Sequence, residues 1–449
     1  MKVLLVFLVI IMAISMQTYA QINIKFEQYK LNNGLNVILH EDHNAPVVAV
    51  TVMYHVGSKN EQVRRTGFAH LFEHMMFQGS ANVGDNDHFA LLQEVGANIN
   101  GFTNQDGTTY FEVVPSNFVE LALYLESDRM GFLLEAMTQE KLDNQRDVVK
   151  NERRQNYDNR PYGTANEKIL SAMYPSTHPY SWPVIGYMED LSAASMEDVQ
   201  NFFKIYYAPN NACLVVSGDI DPKELKPVIE KYFDPIPQGS TFERPKPVPL
   251  QMKEPKRLIY EDKVQLPRMY MTWHTVPGNT RENAVLDVLG SILGRGKNSR
   301  LYKSLVYDQQ IAQSASAYQN GSEIAGTFQI QITAKPERTL TEMEENVNEI
   351  LNILLEEGVR QSEIDNAVIA QEVQMINRAA TALGKAISLA SSYAYTGDPD
   401  NVNREIEFYR GITPQEVLGL AKKYLTKADV VLSIVPEGKL ELGARKGEE

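Results

Sequence analysis

Runs in which apolar and polar residues alternate, broken by stretches in which apolar positions recur every three to four residues, set the pattern of this chain. In each half the pattern predicts two strands, a helix, a strand pair, long helices, and then a helix leading into an apolar strand. Turn signals such as Asn33-Gly34 join neighbouring strands into hairpins. Helices interleaved with hairpins, rather than strict strand–helix alternation, point to an α+β fold instead of a doubly wound parallel sheet.

The two halves echo one another. SMEDVQNFFKIYYAPNNACLVVSGD in the first matches TPQEVLGLAKKYLTKADVVLSIVPEG in the second, with Val199 and Tyr206 spaced as Val417 and Tyr424 are. Each reads as a capped helix running into an apolar strand. VTVMYHVGS around Met53 likewise echoes MYMTWHTVPG around Thr272. A twofold internal repeat accounts for both matches. The segment PIPQGSTFERPKPVPLQMKEP, from Pro235 to Pro255, is rich in proline and poor in apolar pattern, as an extended linker is. The expected division is a first domain over residues 21–236, a linker over 237–256 and a homologous second domain over 257–449. Each domain is expected to be a mostly antiparallel sheet with helices packed on it.

Residues 1–20, MKVLLVFLVIIMAISMQTYA, combine Lys2, an apolar core from Val3 to Met16, and Thr18 and Ala20 before the expected cut. This reads as a cleaved secretory signal, since the apolar run falls short of the roughly 20 residues a membrane-spanning helix needs. No comparable stretch follows, so an exported protein with no membrane partner after cleavage is expected. The formal net charge of −14 disfavours nucleic acid and anionic lipid as partners. The single cysteine, Cys213, cannot form an internal disulfide and sits in an apolar strand pattern, where a packing role outweighs a reactive one. A Gram-negative periplasm fits these features.

One five-residue stretch carries chemistry. HLFEH, within GFAHLFEHMMFQGS, sets His70, Glu73 and His74 in an otherwise apolar run. On a helix, positions i and i+4 share a face, so both imidazoles can aim at one point with Glu73 beside them. Zinc catalysis needs three protein ligands and a fourth position left for water. His70 and His74 are candidate ligands, and Glu73 is the candidate general base, with no need to touch the metal. A third ligand must come from elsewhere, and KLDNQRDVVKNERRQNYDN offers Asp143, Asp147 and Glu152; a solvated charged face is the plain alternative for that helix. His55 and His274 occupy equivalent places in the repeats, which favours packing, and His88 falls near a helix start. The matching helix of the second repeat, NAVLDVLGSILGRG, has no HxxEH, so that half reads as scaffold. LGRGKNSRL, from Leu293 to Leu301, lacks phosphate-loop spacing and reads as a helix-ending turn.

In its context, HLFEH resembles the inverted zinc motif HxxEH of the pitrilysin family, which includes insulin-degrading enzyme and the mitochondrial processing peptidase. The family's third ligand is a downstream glutamate in a pattern like VVxxE, and Val148-Val149-Lys150-Asn151-Glu152 is similar, which selects Glu152. GANINGFTNQDGTTYFEVVP, from Gly96 to Pro115, resembles the family's strand that pairs with substrate backbone and implies substrate contacts at Asn100, Gly101 and Phe102. The resemblance extends over nearly the whole chain after residue 20. It implies one Zn²⁺ per chain and a zinc endopeptidase acting on peptides or unfolded segments; a non-catalytic structural or peptide-binding subunit of the same fold is the alternative.

Two departures qualify the resemblance. Many relatives carry a glutamate seven positions before the third ligand, where this chain has Gln145. An amide can still orient a neighbouring ligand by hydrogen bonding but adds no negative charge. Active relatives also carry an arginine and a tyrosine in a pattern like LRxxxGxxY; against SLVYDQQIAQSASAY these become Val306 and Gln313, with Arg300 or Tyr307 as substitutes. The missing pair implies a dimer, either a homodimer or a heterodimer with a zinc-free homologous subunit.

Overall fold

A computed structural model describes residues 22–247, 250 and 252–444. The expected signal segment lies outside them. The first half forms a sheet of β1 (Glu27–Lys30), β2 (Asn36–Glu41), β3 (Val47–Tyr54), β4 (Asn98–Thr103), β5 (Thr108–Pro115) and β6 (Ala212–Gly218), ordered β1-β2-β6-β3-β5-β4. Its longer helices are α1 (Phe68–Met75), α2 (Asp87–Glu94), α3 (Val119–Phe132), α4 (Gln139–Arg153), α5 (Ala165–Met173), α6 (Met196–Tyr206) and α7 (Pro222–Phe233). The second half builds a sheet from β7 (Lys256–Asp262), β8 (Arg268–Thr275), β9 (Ala312–Gly321), β10 (Gly326–Ala334) and β11 (Val430–Pro436), ordered β7-β11-β8-β10-β9. With it go α8 (Arg281–Gly294), α9 (Leu340–Glu357), α10 (Gln361–Arg378), α11 (Ala382–Thr396) and α12 (Pro414–Tyr424).

The repeat is visible in the pairing. β3 and β8 are equivalent: each lies antiparallel between the last strand of its half (β6 or β11) and its hairpin-bearing neighbour (β5 or β10). Each sheet has one parallel pair, β2 with β6 and β7 with β11; the rest is antiparallel. α6 and α12 start alike, with Ser195 accepting from the Asp198 N–H and Thr413 from that of Glu416, and each cap is closed by a reciprocal carboxylate. Val199 and Val417 on these helices are fully buried. Gly34 takes a φ of 91° in the turn between β1 and β2, a backbone region glycine enters without a steric penalty.

Successive side chains of a strand face opposite ways, so each sheet has two faces to cover. One face of the first sheet, with Val37, Val48, Val50 and Val52, packs against Phe68, Leu71 and Phe72 of α1. Its other face, with Ile38, Ala49, Met53 and Val215, is covered by Ala386, Leu389 and Ala390 of α11, a helix of the second half. The exchange is mutual. Tyr270, Val430, Leu432 and Ile434 of the second sheet pack against Ala165, Ile169, Ala172 and Met173 of α5, from the first half. Between Phe233 and Lys256 the described residues form no helix or strand, and this stretch is pinned to the first half by Asn210 bonding Gly239 and by Arg244 donating to the His55 carbonyl. Among the described residues no helix is long and apolar enough to cross a membrane.

Candidate metal centre

Helix α1 is anchored before it presents any chemistry. It starts after Gly67, whose φ of 85° and close approach to the Ile185 carbonyl (2.7 Å from where a Cβ would sit) exclude a side chain. The buried Glu61 carboxylate accepts from the N–H groups of Gly67 and Ala69 at 2.9 Å each, at the positive end of the helix. Phe68, Ala69, Leu71, Phe72 and Met75 are buried, which leaves His70, Glu73 and His74 on the remaining face.

The two imidazoles lie one turn apart, with ring centroids 4.9 Å from each other. Glu152 reaches them from the last turn of α4: its Oε2 is 3.7 Å from His70 Nε2 and 3.3 Å from His74 Nε2. The three donor atoms all lie within 4.8 Å of one another. Tetrahedral zinc bonds of about 2.0–2.1 Å would set its ligand atoms roughly 3.3 Å apart, so the donor set fits such an ion in type and spacing. Burial and the neighbouring His74 ring hold His70 down to about 4, which keeps it neutral. The hydrogen bond with His74 lowers the Glu152 carboxyl below its ordinary range. A neutral imidazole and an ionised carboxylate are the forms a metal takes. Asp143 and Asp147, the other candidates, are exposed and paired with Arg146 and Lys150.

Glu73 points toward the edge strand β4. Its carboxyl is raised by burial, and its Oε2 accepts from Thr103 Oγ1 at 2.7 Å. Along β4 the residues alternate, with Ile99, Gly101 and Thr103 inward and Asn98, Asn100 and Phe102 exposed. Asn100 Oδ1 accepts from the Gly101 N–H at 2.8 Å. Gln145 is buried on the same stripe of α4 as Leu142 and Val149 but, among the described residues, makes no hydrogen bond to His70, His74 or Glu152. A cavity of about 650 Å³ opens beside Glu73, bounded by His70, Phe102 and Tyr157 and, from the second half, by Asn320, Ser322 and Tyr395. Thr103, Glu61 and these second-half residues carried no motif of their own in the sequence.

The remaining candidates lie elsewhere. Arg300 is held by Glu363 and the Gly358 carbonyl, Tyr307 is 72% exposed, Gln313 is exposed and Val306 packs against the second core; none of them borders the cavity at Glu73. His55 Nε2 meets Glu323 at 2.6 Å and His274 Nε2 meets the Met173 carbonyl at 3.0 Å, so each equivalent histidine bridges the two halves. His88 is buried near the start of α2 beside Glu112. Cys213 is buried in β6, and burial pushes its thiol up to about 12. α8 carries Asp287 and no histidine, and among the described residues the second half holds no metal-ligating cluster.

Residues 36–183 match the family model described as Insulinase (Peptidase family M16), and residues 193–370 match that described as Peptidase M16 inactive domain. The chain is 28% identical over 360 residues to the zinc protease PqqE of Helicobacter pylori, covering 79% of this chain and 80% of that one. A solved protease from Helicobacter pylori has the same fold, with a TM-score of 0.85 at 24% identity over 92% of this chain and 99% of that chain. The periplasmic protease PqqL from Escherichia coli matches with a TM-score of 0.76 at 18% identity, over 94% of this chain but 49% of that longer one.

Proposed function

Because the chain belongs to the M16 (insulinase) family of peptidases, we propose that it is a zinc-dependent endopeptidase acting on peptides or unfolded protein segments. The observation that carries this reading is the convergence of His70, His74 and Glu152 within 4.8 Å, with Glu73 on the same helix turn but outside the donor set. Zinc, when bound, supplies an acidified water and a polarised peptide carbonyl. Glu73 then takes the proton of the attacking water and returns it to the departing amine. The substrate lies as an added strand along the free edge of β4, against Asn100, Gly101 and Phe102. Backbone pairing of this kind asks little of substrate sequence and requires an extended chain.

In this reading residues 21–236 carry the centre, 237–256 span the two halves, and 257–449 form scaffold and cavity wall. Gln145 stiffens the ligand helix from within. Export through residues 1–20 to a periplasm is supported by the naming of one structural neighbour as periplasmic. A second copy or a zinc-free homologue completes the chamber, a reading supported by that neighbour's being about twice the length this chain matches.

The test is mass spectrometry of a peptide mixture incubated with the purified chain, with and without chelator, and with the Glu73→Gln variant. Cleavage should vanish with chelator and with the variant, while zinc content of the variant stays at that of the wild type. Cleavage that persists in either arm overturns the reading.

A further inference from the structure

We propose that Thr103 is a positioning residue for Glu73, set by a turn that the second half of the chain holds in place; this rests on the peptidase reading above. Among the described residues, the Thr103 hydroxyl is the one hydrogen-bond donor to the Glu73 carboxylate, at 2.7 Å. Thr103 and Gly101 are two positions apart on a strand and face the same way. Gly101 supplies the bare surface over which the Glu73 stem lies: a Cβ there would sit 3.2 Å from Glu73 Cγ and 3.2 Å from the Tyr110 ring. The two residues form a socket, with space at one end and a hydroxyl proton at the other. Thr108 Oγ1 is the hydroxyl's other neighbour, at 3.5 Å, too far to compete. A carboxylate this buried, with no second donor, would otherwise turn among rotamers.

The socket is braced from across the molecule. The turn after Thr103 closes on itself, with Asn104 Oδ1 accepting from the N–H groups of Asp106 and Gly107 at 2.7 and 2.8 Å. Asp106 accepts from Lys59 Nζ at 3.1 Å, from the Tyr180 hydroxyl, and from the Glu323 N–H at 2.9 Å. Ser322 Oγ donates to Gln105 Oε1 at 3.3 Å. Glu323 and Ser322 form the tip of the hairpin between β9 and β10. The second half thus reaches the general base through Asp106, the 104–107 turn and Thr103.

The test is kinetics of Thr103→Val and Thr103→Ser in the full chain, with a crystal structure of Thr103→Val prepared without metal. Thr103→Val keeps the shape and removes the donor. Its kcat should fall by on the order of tenfold to a hundredfold, the worth of a hydrogen bond to a charged group, with KM within about twofold of wild type. Zinc stoichiometry should be unchanged, and Thr103→Ser should restore most of kcat. In the crystal, the Glu73 carboxylate should leave its place over Gly101. An unchanged kcat in Thr103→Val, a loss expressed in KM alone, or a Glu73 side chain that stays in place overturns the proposal. If the wild-type chain shows no chelator-sensitive cleavage, the peptidase reading fails, and the Glu73 position in the crystal still decides the role of Thr103.

Discussion

Lys59 ties the two halves together beside the cleft, and replacing it with methionine is the most direct test of that tie. Its side chain is 0% exposed; Nζ lies 3.1 Å from Asp106 Oδ1 and also bonds Glu323 Oε2. Methionine fills a similar volume without the ammonium, leaving two carboxylates facing each other across an apolar stem. Removing one member of a buried ion pair destabilises by about 3–5 kcal/mol. Glu323 keeps His55 as a partner and is 19% exposed, and Asp106 keeps the Glu323 N–H and the Tyr180 hydroxyl, so the lower end, about 3 kcal/mol, is expected. Adding Glu323→Gln removes one stranded charge and should recover about 1–2 kcal/mol, a positive coupling between contacting sites. The chain has two tryptophans, Trp182 in the first half and Trp273 in the second. Urea unfolding followed by fluorescence therefore reports both halves, and variants lacking one or the other separate the signals. A loss of less than about 1 kcal/mol in Lys59→Met, or a double variant no more stable than the single one, refutes the reasoning.

Four further outcomes are expected. Glu152→Gln should lose zinc on dialysis, measured by metal analysis, while keeping the wild-type circular dichroism, because the residue is half-exposed and supports little packing. Burial raises the Asp287 carboxyl to about 6, above its ordinary 3.8, so the folded state binds its proton more tightly than the unfolded one. That contribution to stability is present below about pH 4 and is lost as pH rises to about 6; Asp287→Asn should abolish it and gain up to about 3 kcal/mol above that window, read by urea titration across pH. Burial alone would raise Glu363, but hydrogen bonds from Arg300 and from Arg360 hold it down to about 2; its stabilisation is present above about pH 4.5 and lost as pH falls toward 2, and Glu363→Gln should flatten unfolding curves over that range. Cys213 should resist thiol reagents at pH 8 in the native chain and react stoichiometrically in guanidinium, as its buried thiol requires.

Local pattern made much of the fold legible, because the two signals involved act at short range. The capped helices at Ser195 and Thr413 and the turn at Gly34 are set by neighbours within a few residues. His70 and His74 could be paired from spacing alone, since one helical turn fixes their relation. Glu152 could not be chosen over Asp143 and Asp147 by charge pattern; the resemblance selected it, and the packing of α4 against α1 turns its side chain inward while the two aspartates face solvent. Thr103 was hidden because its meaning depends on which strand borders the sheet and which face Glu73 crosses. Asn320, Ser322 and Tyr395 were hidden for a longer-range reason: they enter the cavity only because the halves dock, a contact no local pattern records. Gln145 shares the buried stripe of α4 with Leu142 and Val149, two helical turns before Glu152, and among the described residues it makes no hydrogen bond to His70, His74 or Glu152.

The mutual lending of α5 and α11 bears on how such a chain can be dissected and how it can move. A cut at the proline-rich crossing, however innocuous on paper, strips each sheet of the helix that seals its rear, and either fragment alone should precipitate until its counterpart is supplied. Melting should likewise be a single event, since neither sheet retains a complete interior once the other has gone. For the same reason breathing of the working cavity cannot come from the halves swinging apart at the crossing. On the pairing proposed above, admission and release of substrate belong to the junction with the second molecule rather than to a hinge within the chain.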